Sequence, residues 1–288
     1  MKIRFGYELE YTSPQATPMI FMLHAQPNPG QRVLIADDMR ISPDVPRSCY
    51  LDAFGNICTR LEAPAGALRI SADALLDDPG VAEREMRSAR EYAIPELPDD
   101  ALQYLLPSRY CESDLLSNEA LRLFGQLVPG WTRVQAICDF VNQYVAFGYQ
   151  FARCTKTALE TYRERQGVCR DFAHLAIAFC RGVNIPARYC TSYLGDIGVP
   201  VVETPMDFAA GIEVYLGGAW HVFDPRNNAR RIGRLVVARG RDAADVAIST
   251  EFGPSRLTTF RVHTEQITEE QATAMIDARR PSRAAQAA

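Results

Sequence analysis

The stretch Arg165-Gln166-Gly167-Val168-Cys169-Arg170-Asp171-Phe172-Ala173-His174-Leu175 places a cysteine where a helix opens. Phe172, Leu175, Ala176, Phe179 and Val183 follow at three- and four-residue steps, which is the spacing of an apolar helix face. Gly167 permits a sharp bend and a close backbone approach just before it. The first turn of such a helix offers free N–H groups and the positive end of the macrodipole. That setting lowers a thiol pKa, and the thiolate is the nucleophile. Cys169 also falls near the end of the apolar stripe, as a buried structural cysteine would.

The second stretch with chemical content is Gly211-Ile212-Glu213-Val214-Tyr215-Leu216-Gly217-Gly218-Ala219-Trp220-His221-Val222-Phe223-Asp224-Pro225. Gly217-Gly218 between two β-type runs predicts a hairpin with a two-residue turn. That register pairs Tyr215 with Trp220, Glu213 with Val222, Val214 with His221 and Gly211 with Asp224. Alternation then sets 209, 211, 213, 215, 220, 222 and 224 on one face and His221 on the other. His174, five residues into the Cys169 helix, lies about 140° around it from the cysteine, a packing or supporting position. The remaining histidines are His24, in the β-rich first third, and His263, near the C-terminal end.

The elements that would position these residues come from an ordinary soluble composition: 288 residues, 47% hydrophobic and 23% charged, with a formal charge of −4. That charge offers no electrostatic case for nucleic acid or an anionic membrane as partner. Lys2 and Lys156 are the only lysines. No run approaches the roughly 18 apolar residues of a spanning helix, and the N-terminus lacks the apolar segment of a signal peptide. A cytoplasmic protein is expected. The eight cysteines (49, 58, 111, 138, 154, 169, 180 and 190) form no C-x-x-C pair and no zinc-type grouping, so scattered reduced thiols are expected. The spacing argues against a redox or metal protein. No calcium loop of the D-x-[DN]-x-[DN]-G type is present, and neither metal nor cofactor is predicted.

In chain order, residues 1–95 read as a β domain of sandwich type. Ile3, Phe5, Tyr7, Leu9 and Tyr11 alternate with polar residues and Gly6, as in a strand with one buried face. Residues 96–130 read as a connecting segment with short helices, and Thr132 as the cap of a helix carrying Val134, Ile137, Cys138 and Val141. Residues 131–267 read as a core in which the Cys169 helix packs on an antiparallel sheet. Residues 268–288 read as a short polar helix fraying into a disordered tail. The fold class expected is α+β.

The order Gly-Val-Cys-Arg-Asp-Phe-Ala-His-Leu, Ile185-Pro186-Ala187-Arg188-Tyr189, then a hairpin ending Trp-x-x-Phe-Asp-Pro resembles the bacterial transglutaminase-like superfamily, described as cysteine proteases related to papain. Residues 1–95 resemble the β domain that precedes the core in one bacterial branch. The resemblance implies a Cys-His-Asp triad in a papain-like core and a thioester on the cysteine, released to water or an amine. It makes Cys169 the nucleophile, Asp224 the orienting acid, and a peptide or protein the substrate. In such a triad the imidazole takes the thiol proton and the carboxylate fixes its tautomer.

The family's histidine belongs to a His-Ala-Trp-x-Glu motif. Here the run is Asp207-Phe208-Ala209-Ala210-Gly211-Ile212-Glu213, which puts Ala209 at the imidazole's position and Gly211 at the tryptophan's. His221 would serve only through a bulge or register slip; a water, Asp207 or Glu213 would be a weaker base. Tyr149 and Trp220 are candidates to line the cleft. Asp171 reads as a complement to the helix dipole and Arg170 as a surface charge. Two functions are therefore expected as alternatives: a cysteine-dependent peptidase, amidase or transglutaminase-like enzyme with a substitute base, or a non-catalytic relative binding peptide or a partner protein through the cleft. Oligomeric state is not legible.

Overall fold

The computed structural model describes residues 1–202 and 206–279. The first strand, Lys2–Ser13, buries Ile3, Phe5, Tyr7, Leu9 and Tyr11, each 2% exposed or less, as their alternation requires. It is paired on both sides, with Gly66–Asp77 and with Arg256–Ile267, in a five-stranded antiparallel sheet. A second sheet orders Ser249–Glu251, Thr17–Phe21, Ile57–Ala63 and Arg47–Leu51. Tyr11 meets Phe21 edge-on at 5.7 Å between the two sheets. The result is a β sandwich.

The third sheet orders Ala219–Phe223, Ala209–Leu216, Ala187–Tyr193 and Leu235–Gly240, all antiparallel. The helix Cys169–Gly182 lies on it with Ala173 to Cys180 wholly buried. Its other side is covered by the helices Ser113–Phe124 and Trp131–Tyr144, where Phe124, Phe140 and Phe179 meet edge to face at 5.3–5.8 Å. The mixed architecture is the α+β one read from the sequence.

Three boundaries differ from that reading. Residues 249–251 and 256–267 return to the sandwich instead of completing the core, because the long first strand needs a second partner for its backbone groups. Helix Ser113–Phe124 is part of the core rather than a connector: Leu116, Ala120 and Phe124 are buried, and a Cβ on Gly182 would lie 2.7 Å from that of Ala120. The following helix starts at Trp131, capped by Gly130 at φ 88°, with Glu91 accepting the Gly130 N–H at 2.8 Å. At the C-terminal end, Glu269–Arg279 is helical and Ala272 packs on Ile35 and Leu75; the tail expected beyond it lies outside the described residues. One continuous apolar core joins sandwich and helix layer, with Phe5 against Tyr193 at 5.1 Å. All eight cysteines are free, and no helix among the described residues is long and apolar enough to cross a membrane.

Candidate active-site cleft

Gly167 ends a two-stranded parallel pairing of Gln166–Gly167 with Ala146–Phe147 and sits against Asp171. A Cβ at 167 would lie 2.7 Å from Asp171 Cβ and Oδ2. That closeness lets the Asp171 carboxylate accept the Val168 N–H at 2.9 Å, so the helix opens at Cys169. Asp171 is therefore a buried cap, and burial pushes its carboxyl up. Arg170 pairs with it at 3.5 Å.

The Cys169 thiol is half-buried, and its surroundings reverse the sign expected of a helix N-terminus. Burial pushes it above the ordinary cysteine value, and the Asp207 and Asp224 carboxylates add to the rise. The backbone N–H groups of Ala210 and Arg170 favour the thiolate but do not outweigh these effects. Two cavities meet at Cys169. One of about 140 Å³ includes Ala209, Arg226, Asn227 and Arg231; the other, about 490 Å³, includes Val168, Tyr189 and Val246. Tyr149, Asp207, Phe208 and Ala210 line both.

The hairpin forms in the register read from the sequence, with Tyr215 opposite Trp220, Glu213 opposite Val222 and Val214 opposite His221. Gly217 and Gly218 turn it at φ 59° and 85°. Ala209, at the start of the first hairpin strand, lines the smaller cavity at Cys169. Asp224, at the hairpin's end, is buried and fully engaged. Arg234 Nη2 donates to its Oδ2 at 2.7 Å, and Asn227 donates to Oδ1 from its backbone at 2.9 Å and to Oδ2 from its amide at 2.8 Å. Burial alone would raise this carboxyl; Arg234 and Asn227 overcome it and hold the group below the ordinary carboxylate value. Asp224 lines a separate cavity of about 330 Å³ with Trp131 and Gln135, and Asn227 is its contact on the Cys169 side.

Of the other residues singled out from sequence, Asp207 and Tyr149 are at Cys169. The carboxyl of Asp207 is crowded enough by protein atoms to be raised, although the residue keeps exposed surface and accepts the Phe208 N–H at 2.6 Å. His221 points away: its Nε2 is 3.1 Å from the Leu216 carbonyl, its ring packs edge-on to Trp131, and it lines neither Cys169 cavity. No bulge brings it round. His174 is wholly buried, stacked on Tyr110 at 5.2 Å, and accepts the Ala243 N–H at 3.1 Å through Nε2. Glu213 is buried under Arg188 at 2.6 Å and Arg239 at 2.9 Å, so it is an ion-pair partner within the sheet and not a free base. Trp220 lies beneath Arg188 and edge-on to Tyr104 at 5.2 Å, outside both cavities at Cys169. His24 contacts Thr59 and His263 contacts Asp73, both in the sandwich.

Sequence reasoning missed Arg234, Asn227 and the wall formed by residues 243–248. Gly211 carried a signal for the first. A Cβ there would lie 3.3 Å from Arg234 Nη1 and 3.3 Å from Cys190 Sγ, so a side chain arriving from another strand uses the room glycine leaves. Among the described residues no group of His, Cys, Asp and Glu could hold a metal ion.

Residues 124–225 match the model of the transglutaminase-like superfamily. A solved structure from Cytophaga hutchinsonii, described as a putative cysteine protease, is similar at a TM-score of 0.80 and 32% identity, covering 93% of this chain and 91% of that one. An uncharacterized protein of Mycobacterium leprae is 25% identical over 207 residues, 69% of this chain and 73% of the relative. One of Mycobacterium tuberculosis is 29% identical over 241 residues, 74% of each.

Proposed function

Because this chain belongs to the transglutaminase-like superfamily, we propose that it retains the family's cleft as a binding site for a peptide or protein segment and lacks Cys-His-Asp acyl transfer. The observation that carries this reading is the state of Asp224: its carboxylate is committed to Arg234 and Asn227, and a methyl group, Ala209, stands where the imidazole would be. A general base contributes about 10²- to 10⁴-fold to such a reaction. Among the described residues no histidine lines either cavity at Cys169.

A second reading has one observation in its favour, since Asp207 lines both cavities and its carboxyl is raised. It would take the thiol proton as substitute base. Ordinary thiol and carboxyl pKa values are about 4.6 units apart, which makes that transfer uphill by about 6 kcal/mol. Here both groups move upward, so the rise at Asp207 that would ease the transfer is opposed by the rise at Cys169.

The test is labelling of the full chain at pH 7 with a peptidyl chloromethyl ketone, alongside release from a fluorogenic peptide ester. The binding reading expects no burst of product and no modification of Cys169 faster than of the exposed Cys49. Rapid selective labelling of Cys169 with turnover would refute it.

A further inference from the structure

We infer that the 490 Å³ cavity beside Cys169 is a specificity pocket for a large apolar side chain of the bound peptide, an inference that rests on the binding reading above. The lining is mostly carbon. Tyr189, Phe208 and Val246 are buried at its base, Val168 stands beside the cysteine, and Ala247 and Ile248 form the facing wall. Its volume lies within the roughly 300–1,000 Å³ of ordinary ligand sites.

The two cationic residues lining this cavity are already matched, which limits what it can hold. Arg153 is paired with Glu160 at 2.9 Å and Glu164 at 3.1 Å, and Arg170 with Asp171. Among the described residues the one carboxylate lining it is Asp207, which also lines the smaller cavity. An anionic guest would give up water for no unpaired counter-charge. An apolar guest gains burial in proportion to its area.

The wall is fixed in place before any ligand arrives. Asp242 accepts the Tyr110 N–H at 2.8 Å and the Ala244 N–H at 2.9 Å, and Ala243 donates to His174 on the Cys169 helix. Ile248 accepts the Met22 N–H from the sandwich at 3.1 Å. The pocket is thus held between the helix that carries the thiol and the β domain, and a preformed pocket loses little to ordering on binding.

Disulfide capture tests this without requiring catalysis. Mixed disulfides of cysteamine with acetyl-X-Cys-amide, X being Phe, Leu, Gly, Asp or Lys, are equilibrated with the full chain in a mercaptoethanol buffer. The Cys154→Ser background is used because Cys154 lines the same cavity. Peptide-resolved mass spectrometry reads occupancy at Cys169, with the exposed Cys49 as reference. The Phe and Leu probes should be captured about tenfold or more over Gly, with Asp no better than Gly and Lys below both Phe and Leu. Ala247→Trp fills the cavity and should remove the Phe advantage while leaving the Gly probe within about twofold. Ile248→Asp, which adds a charge without overfilling, should do the same. Equal capture of all five probes, or an unchanged Phe advantage in both variants, would overturn the pocket while leaving the cleft a binding site. If no probe is captured at Cys169 while Cys49 exchanges, the binding reading falls and the pocket with it.

Discussion

Cys169 should react as a slow thiol at neutral pH, and neutralising one neighbour should speed it. An ordinary cysteine is about 3% thiolate at pH 7. Cys169 lies above the ordinary value, so its thiolate fraction is smaller still. Asp207 is the larger of the two carboxylate contributions to the rise, and Asp207→Asn removes that charge while keeping the side chain's shape. A nearby like charge disfavours the charged form, and exposed surface at Asp207 lets solvent screen part of the effect. The variant should therefore lower the Cys169 inflection and speed its alkylation at pH values below it, in proportion to the gain in thiolate. The assay is iodoacetamide alkylation from pH 6 to pH 10, resolved over the eight cysteines, with Cys49 and Cys154 as exposed references. Wild-type Cys169 should trail both at pH 7 and accelerate only in the alkaline range. Fast, pH-independent alkylation of wild-type Cys169 at pH 6, or no change in Asp207→Asn, would refute the account.

Ala209→His should lower the Cys169 inflection by about one unit or more through imidazolium pairing, yet leave peptide-ester turnover below about tenfold over wild type, because Asp224 remains bound to Arg234. Arg234→Met strands the buried Asp224 and the adjoining Glu83, and should cost about 3–5 kcal/mol. By thermal melt that is on the order of 10 °C, and the gap from wild type should narrow as pH falls below about 4, since a carboxyl with depressed folded pKa loses its contribution when protonated. His174 is held well below its ordinary value by burial, so its unfolded form binds the proton first; wild type should lose urea resistance as pH drops from about 6.5 to 5, and His174→Phe should lose less over that interval. Gly167→Ala should destabilise by about 1–3 kcal/mol in chemical denaturation, because the new methyl displaces the Asp171 cap.

What was legible in the sequence was governed by local periodicity. The alternation of the first strand, the helix from Cys169 to Gly182 and the Gly217-Gly218 register all follow from short-range rules, and the register alone sufficed to turn His221 away from Asp224. The return of residues 256–267 to the first strand was not legible, because pairing across some 250 residues leaves no local trace. The sign of the Cys169 shift was missed for a related reason. The helix terminus that favours thiolate is local, whereas the burial and the two carboxylates that oppose it come from elements far along the chain. Arg234 and the 243–248 wall are brought in by the strand Leu235–Gly240 and the turn after it, which carry no motif.

The absence of an imidazole, the glycine at 211 and the buried Arg234 form one physical unit. A carboxylate as deeply buried as Asp224 needs a cation or several donors. With a methyl group at 209, Arg234 and Asn227 supply the counter-charge and the hydrogen bonds. Arg234 reaches Asp224 through Nη2 at 2.7 Å, and the glycine at 211 leaves its guanidinium room, since a Cβ there would lie a tight 3.3 Å from Nη1. Glu83, paired to the same guanidinium, anchors it from the segment that follows the sandwich. Ala209→His alone therefore meets an Asp224 already occupied by Arg234 and Asn227, and a side chain at 211 alone presses on a buried ion pair. The arrangement is stable as it stands, and its stability comes from the contacts that Arg234 and Asn227 make with Asp224.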